Sequence, residues 1–254
     1  MVASNELVLI DLAFLLESSD KSFCGAPLIL GLHGQDYTVI YGVARDLLGL
    51  RRRLGIHRAI VIIGKEATTV SPPSRISCVV SFLRKLGVSV VYRPTAGTIA
   101  LCRALPSPQW ILTKNRILFQ LVTANLRLMV PDIAGAALEV VTVESLKSTF
   151  GLRPVQMPSF LSLTGEGGGG QKALFTKRQA IRLLEVYETL PKLLQALRGV
   201  PSHAMRRKLS THADVLLRRL GSMVIEESVS PPVGLLESGA MFVKDDQNSA
   251  ETLT

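Results

Sequence analysis

Cysteine is scarce in this chain, three in 254 residues, and Cys24, Cys78 and Cys102 are too scattered for a disulfide framework or a metal-binding cluster. That excludes a small stapled scaffold and fits reduced thiols in a cytoplasmic protein. Aromatic residues reach only 5%, with a single Trp. Trp110 and Phe119 occupy core-like positions, so a base-stacking platform is not indicated. No apolar run approaches the roughly 20 residues that cross a bilayer, so no membrane partner is expected. The opening MVASNELVLIDL has no basic flank, apolar stretch and cleavage site in succession, so a secretory signal is not expected. His33, His57, His203 and His212 show no zinc or triad spacing. The run GEGGGGQK lacks the lysine and hydroxyl of a phosphate loop and follows no strand; it reads as a flexible linker.

What is present is basic charge, unevenly spread. Residues 1–170 carry 17 basic and 11 acidic side chains, residues 171–220 carry 11 and 3, and residues 221–254 carry 1 and 6. The differences, +6, +8 and −5, sum to the net +9. A fifty-residue segment holding +8 fits a polyanionic partner, of which phosphate backbones are the commonest. A generally basic solvated surface is the alternative. At 47% hydrophobic residues the chain has ample material for a core.

Strands and helices alternate through the first half. Leu7–Ile10 reads as a strand ending at Asp11. Asp36 can cap a helix from Tyr37 to about Leu54, closed by Gly55. Strands follow at Ala59–Ile63, Val88–Tyr92 and Trp110–Thr113. A helix bracketed by Ser71-Pro72 and Gly87 turns Ile76, Val79, Val80 and Leu83 inward. Short strands are expected near Leu126–Val130 and Leu138–Val141. This alternation predicts an α/β fold, a parallel sheet flanked by helices. From Val143 the pattern is helical only: Val143–Phe150 stopped by Gly151, Gln156–Leu163, Thr176–Tyr187, then short helices near Pro191–Leu197 and Thr211–Leu220. The tail after about Glu226 reads as disordered. The expected division is an α/β domain over residues 1–155, a helical subdomain over 156–225 and a tail over 226–254.

The stretch ILTKNRILFQLV at 111–122 carries the most information. An apolar strand runs into Thr113, and a helix with Leu118, Leu121 and Val122 on one face is expected to follow. In open α/β folds the carboxyl end of a strand is where ligands bind. Here that end presents Lys114, Asn115 and Arg116.

The order of elements and several strings resemble the 5′-nuclease family, which includes the 5′→3′ exonuclease domain of bacterial DNA polymerase I and the flap endonucleases. LVLID at 7–11 is similar to its first strand with the leading aspartate, and YGVARDLL at 41–48 to its first helix. LTKNRILFQLV at 112–122 resembles its Thr-Gly-Asp-x-Asp-Leu-x-Gln-Leu-Val. VTVESLKSTFGLRPVQMPSFLSLTGE at 141–166 resembles its strand, helix and following helix that ends in Leu-x-Gly-Asp. KRQAIRLLEVYETLPKLL at 177–194 resembles its helix–turn–helix that grips duplex backbones. The likeness covers about Leu7 to Leu220. It implies a PIN-like 5′-nuclease α/β domain followed by a small helical subdomain.

The family cleaves phosphodiesters with two divalent cations caged by oxygen ligands, mostly carboxylates. Carried over residue by residue, the cage is thin. Asp11 keeps its carboxylate, and Glu166 stands for the first acid of the Gly-Asp loop. The other acids fall on Gly64, on Gly97, Ile99 and Ala100, on Asn115 and Ile117, and on Gly169. The family's basic arch is reduced to KEATTVS between Gly64 and Pro72. Its Gly-x-Gly falls on Leu174 and Thr176. The resemblance therefore implies a degenerate member, a pseudonuclease, with no resident cofactor beyond residual Mg²⁺ or Mn²⁺.

Asp11 and Glu166 are the vestigial catalytic and metal candidates, set against a strand-end cap for Asp11 and a solvated loop acid for Glu166. Lys114 and Arg116 are candidates for direct phosphate contact, set against solvated charges at a helix start. Lys172, Lys177, Arg178, Arg182, Arg206, Arg207 and Lys208 form the expected backbone-contacting set. Arg51, Arg52 and Arg53 suit a helix C-terminus and read as structural. The expected function is binding of duplex, flap or branched DNA, with RNA as an alternative, in the cytoplasm and on the nucleoid if the source is bacterial. A weak one-metal nuclease using Asp11 and Glu166, and a protein-interaction scaffold, are the alternatives.

Overall fold

The computed structural model describes residues 6–31, 34–92, 109–131, 138–166 and 172–224. Cys102, Gly97, Ile99, Ala100, Gly169, most of the glycine run and the tail beyond residue 224 lie outside them. The contacts divide the chain after Leu112 into two compact units. The expected boundary at 155 falls inside the second unit. The reason is a 3-10 helix at Arg116–Leu121, which packs on the segment Pro154–Gln156 and on the helix after it.

In the first unit, strand β1 (Leu7–Asp11) is flanked by β2 (Arg58–Ile63) and β4 (Gln109–Leu112), and β3 (Ser89–Tyr92) pairs with β2, all in parallel. Leu7 through Ile10 are buried, as are Ala59 through Ile63, which is the continuous apolar reading of a strand covered on both faces. Helix α1 (Leu12–Ser22) follows β1 without any linking residue. Helices α2 (Thr38–Leu54), α3 (Lys65–Val70) and α4 (Pro73–Lys85) complete the unit. Asp36 accepts from the Thr38 N–H at 2.9 Å, and Gly55 closes α2 in the left-handed region at φ 70°. Ile76, Val79, Val80 and Leu83 of α4 are buried. Trp110 is buried, and its Nε1–H donates to Glu6 Oε2 at 3.0 Å, so each polar group gives the other its partner.

The second unit opens with the 3-10 helix, which replaces the α-helix expected there. Asn115 caps it through the Ile117 N–H at 3.0 Å, and the chain turns back at once through Thr123 N–H to Leu126 O. Too few residues remain for α-helical turns. Strands β5 (Leu126–Pro131) and β6 (Leu138–Val141) pair antiparallel, unlike the parallel strands of the first unit. The link from Pro131 to Leu138 is shorter than the dozen or so residues a parallel crossover needs. Helix α5 (Val143–Phe150) starts with a capping box of Thr142 and Ser145 and ends at left-handed Gly151. Helices α6 (Met157–Thr164), α7 (Lys177–Tyr187), α8 (Leu190–Gln195), α9 (His203–Thr211) and α10 (Ala213–Met223) follow. Every residue of α6 is buried, and it packs against α7 and α10.

The turn from α7 to α8 is strained. Glu188 sits at φ 61° and ψ −51°, and Thr189 N–H reaches back to Tyr187 O at 2.7 Å, a γ-turn of the rare positive-φ kind. Such a conformation costs about 1–3 kcal/mol and persists only when neighbours fix it. Here they do. Gln156 Nε2 donates to Leu184 O at 2.9 Å and to Glu188 O at 3.1 Å, and Ser159 Oγ accepts from Leu190 N–H at 3.0 Å. Hydrogen bonding from Lys192, then its charge, then Arg153, hold the Glu188 carboxyl below the usual glutamate value.

Helices α1 and α2 touch closely at Gly42, where an added Cβ would stand 2.0 Å from Ser19 Oγ. Ser19 is fully buried and cannot swing away. Gly42→Ala is expected to destabilise the fold by about 1–3 kcal/mol, read as a lower urea midpoint at unchanged slope. For Glu188, a depressed folded pKa contributes stability above the unfolded value of 4.5 that is lost as pH falls through the folded value. Urea titrations across pH 3 to 6 (a range of about three units spanning that value) are expected to show a shallower acid slope in Glu188→Gln than in the natural sequence.

Candidate nucleic-acid interface

In the first unit, Asp11 is the last residue of β1 and at once the N-cap of α1. Its Oδ1 accepts from the Ala13 N–H at 3.1 Å. One oxygen of this carboxylate is thus engaged as the cap of α1. Gly64 caps α3 with no side chain to offer, and the reduced arch segment is this single six-residue helix.

In the second unit, Glu166 follows the left-handed Gly165 that ends α6. It is bridged by two cations: Oε2 pairs with Arg116 Nη1, and Oε1 lies 3.2 Å from Lys177 Nζ. The three side chains keep 43%, 56% and 26% of their surface for Arg116, Lys177 and Glu166. Both cations thus remain open to a larger anion. Lys114 is half-buried beside Thr113, which is fully buried. Asn115 and Ile117, which the resemblance sets against acids, are an uncharged cap and the residue it caps.

The remaining predicted contacts sit on α7 and α9. Thr176 and Gln179 form a capping box that fixes the first turn of α7. Lys177, Arg178 and Arg182 are exposed along it, while Ala180, Leu183 and Leu184 are buried. Arg178 and Arg182 line a groove of about 660 Å³ with Val186, Tyr187, Ser202 and Met205. With Lys177 they also line a hollow of about 600 Å³ beside Phe150 and Ile181. Helix α9, which the sequence pattern does not announce, carries Arg206, Arg207 and Lys208. Lys208 Nζ stands 5.2 Å from the centre of the buried Phe175 ring, just before α7. Arg207 is exposed, whereas Arg206 is half-buried with its Nε sealed from solvent and lacking a hydrogen-bond partner. Lys172 is exposed, and its carbonyl accepts from Arg219 Nη1 at 3.2 Å. Arg219, which no sequence motif singles out, ties the segment before α7 to α10.

Among the described residues no three His, Cys, Asp or Glu side chains come together. Two divalent cations need several oxygen ligands. The described residues do not supply that set in either unit, so no metal-dependent step is assigned to them. Among the described residues no helix is long and apolar enough to cross a membrane.

No family model matches the chain. It is 24% identical over 210 residues to the thermostable DNA polymerase I of Thermus filiformis, covering 72% of this chain. The match spans only 24% of that polymerase. Among solved structures, the D15 protein of bacteriophage T5 crystallised with metal ions superposes with a TM-score of 0.59 at 11% identity, over 85% of this chain and 88% of that one. The catalytic core of Rad2 in complex with DNA substrate gives 0.58 at 14% identity, over 91% and 83%. By backbone the chain carries the fold of these solved structures, and in sequence it is similar to part of that polymerase.

Proposed function

We propose that the chain is a nucleic-acid-binding protein of the 5′-nuclease fold in which phosphodiester hydrolysis is lost or nearly so. Its second unit grips the backbones of duplex or branched DNA. The observation that carries this reading is the state of Glu166. The acid that would begin the metal-binding loop is instead neutralised by Arg116 and Lys177. A dication placed there would have to displace two cations and would meet their repulsion. Arg178, Arg182, Arg207 and Lys208 supply the exposed charge for backbone contact. Such contacts fix register and read no sequence. The structural relatives whose names include DNA complexes support the same class of ligand.

Binding should follow the law of counterion release, with the logarithm of affinity falling by about 0.9 per phosphate contact for each tenfold rise in salt. Arg178→Gln with Arg182→Gln is expected to weaken binding of a fluorescent duplex and to make that slope shallower by about one for each contact removed. Affinity indifferent to salt in the natural protein would reject the reading. A 5′-flap substrate incubated with Mg²⁺ or Mn²⁺ is expected to remain intact on a gel. Cleavage abolished by Asp11→Asn would show that hydrolysis survives.

A further inference from the structure

We infer that Arg116 and Lys177 form a phosphate site in the second unit, held shut by the carboxylate of Glu166 until a phosphodiester displaces it. The site rests on the reading that this unit binds nucleic acid, and Glu166 is the group that regulates its grip. Glu166 uses one oxygen for each cation, Oε2 for Arg116 and Oε1 for Lys177. A phosphodiester offers two non-bridging oxygens in the same bridging sense, with the added reach of a polymer that brings further phosphates to Arg178 and Arg182.

The backbones that carry the two cations are fixed by caps, whereas the carboxylate sits on a segment outside any helix. Arg116 opens the 3-10 helix capped by Asn115, and Lys177 opens α7 behind its capping box. Lys177 also stands at the positive end of an eleven-residue helix, which favours an incoming anion. Glu166 lies beyond the end of α6, past Gly165, and is not part of the buried helix itself. Its departure leaves the packing of α6 untouched. Ion pairs this exposed are weak and screened, so an intramolecular carboxylate competes without locking the site. In effect the protein carries its own substitute for the ligand.

The test compares Glu166→Gln with the natural full chain, using a fluorescein-labelled duplex read by anisotropy at fixed salt. Removing the competing charge is expected to tighten binding about three- to tenfold. Arg116→Gln should weaken binding more in the Glu166→Gln background than alone, because only there is the guanidinium available without competition. A purely structural role for Glu166 predicts the reverse: weaker binding and equal effects of Arg116→Gln in both backgrounds. Where the natural chain binds the duplex, unchanged or weaker affinity in Glu166→Gln would overturn the inference. Should that variant fail to fold, Glu166→Asp, whose shorter chain cannot span both cations, must tighten binding in the same direction. Pyrophosphate titrated by calorimetry separates the gated site from duplex binding as such. Uptake by Glu166→Gln, lost on adding Arg116→Gln, supports the site even if neither chain binds a duplex. Absence of uptake together with unchanged duplex affinity rejects the site while leaving duplex binding standing.

Discussion

Helix α6 is buried on every side, yet it carries three hydroxyl side chains, Ser159, Ser162 and Thr164. A buried polar group without a partner costs about 1–3 kcal/mol, so each must be satisfied where it stands. Thr164 is satisfied within the helix, by the Phe160 carbonyl at 3.0 Å. Ser162 donates to the Leu216 carbonyl of α10 at 2.7 Å, and Ser159 accepts from the Leu190 N–H of α8 at 3.0 Å. These two bonds fix neighbouring helices against a central rod, with Met157, Phe160, Leu161 and Leu163 excluding water around them. Helix α7, which carries Lys177, Arg178 and Arg182, packs directly on that rod. Chemistry at the surface is thus set by hydrogen bonds that never meet solvent.

Three carboxylates of the two units are each held by a donor of the chain itself. Asp11 is engaged by a backbone N–H, Glu6 by the indole of Trp110, and Glu166 by two cations. A cage for divalent ions demands the opposite, several oxygens brought together with their charge uncompensated until the metal arrives. Residues 172–219 carry a net positive balance, which repels cations and favours anions nearby.

Elements with their own end signals were legible in the sequence. Thr142 and Gly151 bracket α5, Asp36 and Gly55 bracket α2, and the Thr176 box opens α7. Helix α1 was not legible, because Asp11 closes a strand and opens a helix with no turn residue between. Helix α9 was hidden for another reason: Leu209 is its one buried residue, too little apolar surface to write a period. The identities of the cations were readable, but their pairing was not. Glu166 lies fifty positions from Arg116, and nothing local in either segment specifies that contact. It arises only when the 3-10 helix and α7 both pack on α6.

The γ-turn at Glu188 has a genetic consequence. Its unusual backbone is imposed from outside, by the amide of Gln156 gripping two carbonyls and by Arg153 on the Glu188 carboxylate. Gln156 is neutral, hidden and some thirty positions upstream of the helices whose angle it governs. A variant there would change no charge on the exterior, yet it would remove the hydrogen bonds that fix the turn between α7 and α8. Mutations that disturb the placement of the basic residues on α7 need not touch one of them.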